Sequence, residues 1–130
     1  MEDEVRKAVD GIVAAFGAHR LDEYLSCFAP DATFVFHTNP ERLASREEYR
    51  ELWTRWVADD GFRVRSCRTS DTWVQLLGDV AVVTHDVETE ISTHDGEETL
   101  HERETIVLAR RGGRWIAVHE HLSAAPPAAR

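Results

Sequence analysis

The chain has 130 residues, enough for one domain to bury an apolar core without disulfides or a structural metal. Its 24 acidic and 15 basic side chains leave a formal net charge of -9, which repels nucleic-acid phosphates and anionic lipid and argues against both as partners. Two cysteines, Cys27 and Cys67, without C-x-x-C spacing suit a reduced compartment, and no basic leader or bilayer-length apolar run is seen, so a soluble, cytoplasmic protein is expected.

From Glu2 to Ala18, Val5, Val9, Ile12, Val13 and Phe16 recur at three and four residues, which predicts an amphipathic helix ended by Gly17. Leu21, Tyr24, Leu25 and Phe28 suggest a second short helix closed by Pro30, and the branched and aromatic run DATFVFH reads as a strand. Ser45 followed by Glu48 forms a capping box for a third helix, whose face is Tyr49, Leu52, Trp53, Trp56 and Val57. Strands are then expected at Phe62 to Thr69, Trp73 to Leu77, Val80 to Ser92, Glu98 to Arg110 and Arg114 to Ser123, with turns at Gly78-Asp79, Asp95-Gly96 and Arg111-Gly112-Gly113. Helices followed by an antiparallel meander indicate an α+β domain over residues 1–124, with a flexible tail at 125–130.

Successive strand residues alternate between faces, so the turns set which side chains share one. A two-residue loop at Asp95-Gly96 places Ile91 opposite Leu100, Val87 opposite Glu104 and His85 opposite Ile106. A three-residue loop at Arg111-Gly112-Gly113 places Ile106 opposite Val118 and Glu104 opposite Glu120. The face that results carries mostly apolar residues, among them Ala81, Val83, Val87, Ile91, Leu108, Ile116, Val118 and Leu122, and is expected to lie against the helices. His85, Glu104 and Glu120 stand on it as polar residues in apolar surroundings. Paired carboxylates in such a setting resist ionisation and suit general acid and base work, with the imidazole exchanging the proton; these three are the candidate catalytic residues.

The opposite face carries Glu88 against Arg103 and Glu90 against His101, with an apolar end of Val82, Val107, Ala109, Trp115 and Ala117 that would suit a partner subunit. His119 and His121 lie there too. A metal held by them would need a third ligand such as His101, and no metal or cofactor is assigned. His37 is placed in an exposed loop, and Trp53, Trp56 and Trp73 are placed in the core and cavity wall.

The segment ERETIVLARRGGRWIAVHEHLSAAP resembles the last hairpin of the SnoaL-like branch of the nuclear transport factor 2-like superfamily, and is similar to the association domain of calcium/calmodulin-dependent protein kinase II. FAPDATFVF and SREEYRELW resemble the front half of the superfamily. The resemblance implies a cone-shaped fold with three helices on a curved antiparallel sheet, enclosing a pocket, and a homodimer formed through the outer sheet face. It implies a small-molecule ligand and a pocket lined by Ile12, Phe16, Phe34, Phe36, Trp53, Val87, Ile106, Val118 and Leu122. The kinase association domain has pocket arginines at or near the positions of His85, Ile106 and Leu122. The acid and base positions of ketosteroid isomerases fall on Ile12, Phe36 and near Thr105, so neither ligand chemistry carries over. Two functional readings follow. One is an isomerase, cyclase, dehydratase or hydrolase acting on an apolar metabolite; the other is a non-catalytic ligand-binding or association module.

Overall fold

The computed structural model describes residues 1–126; the expected tail from 127 onward lies outside them. Helix α1 spans Glu2–Gly17 and buries Val5, Val9 and Ile12 of the stripe the periodicity predicts, together with Ala15 beside them. Gly17 also serves packing, because a Cβ there would lie 3.2 Å from the Cys67 backbone nitrogen. Helix α2 covers Leu21–Ser26 and strand β1 covers Phe28–Phe36. Phe28 therefore opens the strand rather than closing the helix. Pro30 falls where the β1 register is irregular, at a sheet edge where the missing N–H is tolerated.

Helix α3, Arg46–Asp60, starts at Ser45, whose Oγ accepts the Glu48 backbone N–H at 3.1 Å, and ends at Gly61 in the left-handed region. Strands β2 (Arg63–Leu77), β3 (Val80–Thr93), β4 (Gly96–Arg111) and β5 (Arg114–Ala124) complete the chain. The two strands expected between Phe62 and Leu77 are one strand, bent by a register shift between Ser70 and Trp73 where Asp71 has φ 54°.

The sheet runs β1-β5-β4-β3-β2. It is mixed rather than wholly antiparallel, because β1 joins β5 in parallel. The helices cover one face, and the core between them gathers Val9, Tyr24, Phe28, Phe34, Trp53, Val83, Ile106 and Leu108.

Both hairpins differ from their expected turns. Thr93 pairs with Gly96, so His94-Asp95 forms the loop and every β3–β4 pair moves by two residues: His85 faces Glu104, and Val87 faces Glu102. On the outer face the same shift pairs Glu88 with His101 and Asp86 with Arg103. Arg111 pairs with Arg114, which leaves Gly112 and Gly113, both at positive φ, as a two-residue turn. That turn directs Trp115 and Ala117 inward, against their expected outer placement, with 7% and 0% exposure. A bulge then inserts Val118, since Leu108 pairs with Ala117 and Val107 with His119. Beyond the bulge Glu120 and Leu122 point inward, Ile106 faces Glu120, and Glu104 faces Leu122. Trp73, expected in the core, is 70% exposed on the outer face.

Candidate active site

The structure brings Glu104 and Glu120 together on one face of neighbouring strands, two pair positions apart in register. Both are buried, and their carboxyl groups hydrogen-bond each other. Burial pushes the Glu120 carboxyl well above the usual 4.5, and the neighbouring Glu104 charge and the hydrogen bond to Glu104 push further in the same direction. Burial also raises Glu104, while the hydrogen bond from Glu120 works the other way. Both carboxyls are thus held toward the protonated form, Glu120 the more strongly, so Glu120 is the member that keeps a proton shared by the pair.

Each carboxyl has a second partner. The Tyr24 hydroxyl donates to Glu120 Oε1 at 2.9 Å. With its hydrogen committed there, Tyr24 accepts from the Tyr49 hydroxyl, 3.1 Å away. Burial holds both phenols well above their usual 10, so they serve as neutral donors. On the other side His85 Nε2 lies 2.6 Å from Glu104 Oε1. Burial outweighs the nearby carboxylates and lowers the His85 pKa. Its Nδ1 is buried with no partner among the described residues. A neutral ring protonated on Nε2 leaves only an unused lone pair at Nδ1, whereas an imidazolium would bury an unpaired N–H, the rarer and costlier defect. Tyr49, Tyr24, Glu120, Glu104 and His85 thus form one hydrogen-bonded row.

Two adjoining hollows share part of their walls, the inner one at the carboxyl pair. The inner one, about 30 Å³, has Ile12, Tyr24, Cys67, Val87, Glu104 and Glu120 in its wall. It has room for about one water molecule or a single small group. The outer one, about 250 Å³, is walled by Phe36, Tyr49, Trp56, Phe62, Ile91 and Leu100. Phe16, Thr89, Glu102 and Leu122 belong to both and make the shared wall. Glu102 is held there by His37, whose Nε2 is 2.6 Å from Glu102 Oε2. The Cys67 thiol, pushed up to about 12 chiefly by burial, stays protonated and is no nucleophile.

Of the residues expected to line the pocket, Ile12, Phe16, Phe36, Val87 and Leu122 stand in these walls. Phe34, Trp53 and Ile106 are buried behind the walls, in the core. Val118, the bulge residue, lines neither hollow because the extra position takes it out of the alternation. His85 also lines neither hollow; it backs Glu104 from behind. His37 sits in a turn as expected but is tied into the shared wall. Tyr24 and Tyr49 were read only as helix-face residues. The signal that could have found them is chemical: a buried tyrosine hydroxyl needs a partner, and inward-facing carboxyls supply one.

The outer face holds His119 and His121, with ring centroids 6.4 Å apart, and His119 Nδ1 is bonded to Thr33 Oγ1 at 2.8 Å. Among the described residues no group of three or more His, Cys, Asp or Glu is placed to hold a metal ion.

A family model described as a SnoaL-like domain matches residues 5–128. The chain belongs to the SnoaL-like domain family. No curated protein matches it significantly. Among solved structures this SnoaL-like chain is similar to a candidate calcium/calmodulin dependent protein kinase II association domain from Xanthomonas campestris, at 23% identity and TM-score 0.81, covering 98% of this chain and 90% of that one. It is also similar to an NTF2-like protein of unknown function in nutrient uptake from Rhodospirillum rubrum, at 22% identity and TM-score 0.81, covering 95% of this chain and 100% of that one. An NTF2-like protein of unknown function from Pseudomonas putida matches at 20% identity and TM-score 0.76, over 95% and 86% of the two chains. At these identities the likeness establishes the nuclear transport factor 2-like fold of the SnoaL-like chain.

The buried proton has a measurable consequence. Above 4.5 an unfolded chain releases the Glu120 proton that the folded protein retains, so Glu120 makes stability fall as pH rises. His85 acts oppositely, but only below its ordinary 6.5, where the unfolded ring takes up a proton that the folded ring refuses. From about pH 6.5 to about pH 8 the raised carboxyls are left, Glu120 foremost and Glu104 in the same direction, each worth up to about 1.4 kcal/mol per pH unit for as long as it keeps its proton. Urea denaturation across that range is expected to show the decline in the parent protein and a flatter profile in Glu120→Gln; equal slopes would contradict it.

Proposed function

We propose that this SnoaL-like protein binds a small, largely apolar organic molecule in the hollow between helices and sheet, and acts on it by general acid–base catalysis. The observation that carries the reading is the Glu104–Glu120 pair, two carboxyl groups sharing a hydrogen bond in the wall of the small inner hollow that adjoins the aromatic one. Glu120 would donate a proton and Glu104 accept one, which suits isomerisation, cyclisation, dehydration or hydrolysis and calls on no cofactor. His85 then acts as a positioning residue: it touches Glu104 and holds its carboxyl group in place. Tyr24 and Tyr49 orient Glu120 in the same way.

One feature favours the alternative reading of a non-catalytic binding module. The inner hollow is small, so a ligand filling the outer one meets the carboxyl pair only past the shared wall at Phe16 and Leu122. Thermal-shift screening of metabolite pools, followed by a turnover assay on each stabilising fraction, separates the two. The catalytic reading predicts conversion, lowered about a hundredfold or more in Glu120→Gln while that variant remains folded. Stabilisation without conversion, or undiminished conversion by Glu120→Gln, would sink it.

The outer sheet face is proposed as the contact between two copies of the chain. Trp73, Leu77 and Val80 are exposed there, and Val82, Val107 and Ile116 continue the apolar surface across the neighbouring strands. Sedimentation analysis is expected to give a dimer that Trp73→Arg with Val82→Glu converts to monomer; a parent protein that sediments as a monomer rejects this contact. No helix among the described residues is long and apolar enough to cross a membrane. The free thiols Cys27 and Cys67 support a reducing, cytoplasmic setting.

A further inference from the structure

Strand β4 turns Glu98, Glu102 and Glu104 toward the helices on one face, with Leu100 between the first two, so that carboxyl groups run from the wall of the outer hollow through the shared wall to the inner hollow. Asp60, at the end of α3, joins Glu98 in the wall of the outer hollow. Among the described residues no lysine, arginine or histidine lines either hollow. The positively charged or protonatable groups that face these carboxyls act from outside. His37 bonds Glu102 from the turn after β1, and His85 bonds Glu104 from behind. Arg65 shares a neighbouring groove with Glu98, and its Nε donates to Ser92 Oγ, while the His94 ring packs against Gly61 next to Asp60. Among the described residues neither Glu98 nor Asp60 has an ion-pair partner.

The wall around these carboxylates is aromatic. Phe16, Tyr49, Trp56 and Phe62 line the outer hollow, with their rings inclined to one another or to Trp53 behind them. Aromatic faces are electrically negative and attract cations, most strongly where water is displaced. A concave surface with low-dielectric walls and charge of one sign also concentrates its field in the opening. Both effects favour a positive ligand, and both oppose a carboxylate.

We propose that the outer hollow selects an organic ammonium carried on a compact apolar or aromatic body, with the ammonium near Asp60 and Glu98 and the apolar part against the aromatic wall. This inference rests on the reading that the hollow is the ligand site, and it names the ligand's charge class. The row of hydrogen bonds at the inner hollow is not needed for it, because the selecting charges sit in the wall of the outer one.

A matched trio with one indole body tests the selection: tryptamine, tryptophol and indoleacetate, titrated calorimetrically into the full chain at neutral pH and low salt. Tryptamine is expected to bind at least about tenfold more tightly than tryptophol, and tryptophol more tightly than indoleacetate. Asp60→Asn with Glu98→Gln should shrink the preference, as should added salt. Equal affinities, a preference for indoleacetate, absence of binding by all three, or an amine preference that survives the double substitution would overturn the proposal. The catalytic reading fails separately: the amine ranking together with no conversion of any ligand removes the chemistry and leaves the selection. Conversion of a ligand of another charge class, lost in Glu120→Gln, does the reverse.

Discussion

Two carboxyl groups that share one buried site cannot both ionise, and the arrangement around Glu104 and Glu120 follows from that constraint. Each charge taken from water costs several kcal/mol in a packed interior unless it is paired and hydrogen-bonded. The protein meets the cost by keeping Glu120 neutral, through a hydrogen bond to Glu104, and by giving Glu104 a second donor in His85. Tyr24 and Tyr49 complete the row from the helix side. Helix α2 and helix α3 are thereby tied to strand β5 by polar groups, while the packing of Phe16, Tyr24 and Trp53 holds the three helices to one another. The same bonds that settle the proton also fix where the helices sit over the sheet.

The fold was readable because its signals are local. The α1 stripe, the Ser45 to Glu48 cap and the alternation of β3 and β4 each depend on residues close together in sequence, and each is found in the structure. The turns were harder. Asp95-Gly96 has the composition of a primed turn, yet the chain turns one residue earlier, at His94-Asp95, and Gly96 starts β4 at φ 118°. The Gly112-Gly113 turn has two residues where three were expected, and a bulge at Val118 follows it. Turn type depends on how the flanking strands twist and pack, which composition does not encode.

Errors of this kind have unequal consequences. Moving a pairing by two residues preserves the face and changes the neighbour, so Glu104 and Glu120 still point inward while the partner opposite Glu104 becomes His85 on β3 and Leu122 on β5. Moving it by one exchanges the faces. Between the turn and the bulge that exchange occurs, which is why Trp115 and Ala117 lie inside and Val118 lines no hollow. The bulge restores the alternation just before Glu120. Without it, the histidines on either side would occupy the hollow in place of the carboxyl. Tyr24 and Tyr49 escaped notice for a different reason: their rings satisfy an apolar helix face, and only the tertiary fold shows that their hydroxyls meet a carboxyl group.

The central claim is that Glu120 carries a proton inside the folded protein at neutral pH, held between Tyr24 and Glu104. Carbon-13 labelling of the glutamate side chains, with the Glu120 carboxyl resonance followed by NMR as pH is raised, tests it most directly. The resonance is expected to keep the shift of a protonated carboxyl through neutral pH and to move only well above the ordinary glutamate range. A resonance that titrates at the ordinary value, and is already that of a carboxylate at neutral pH, would contradict the account.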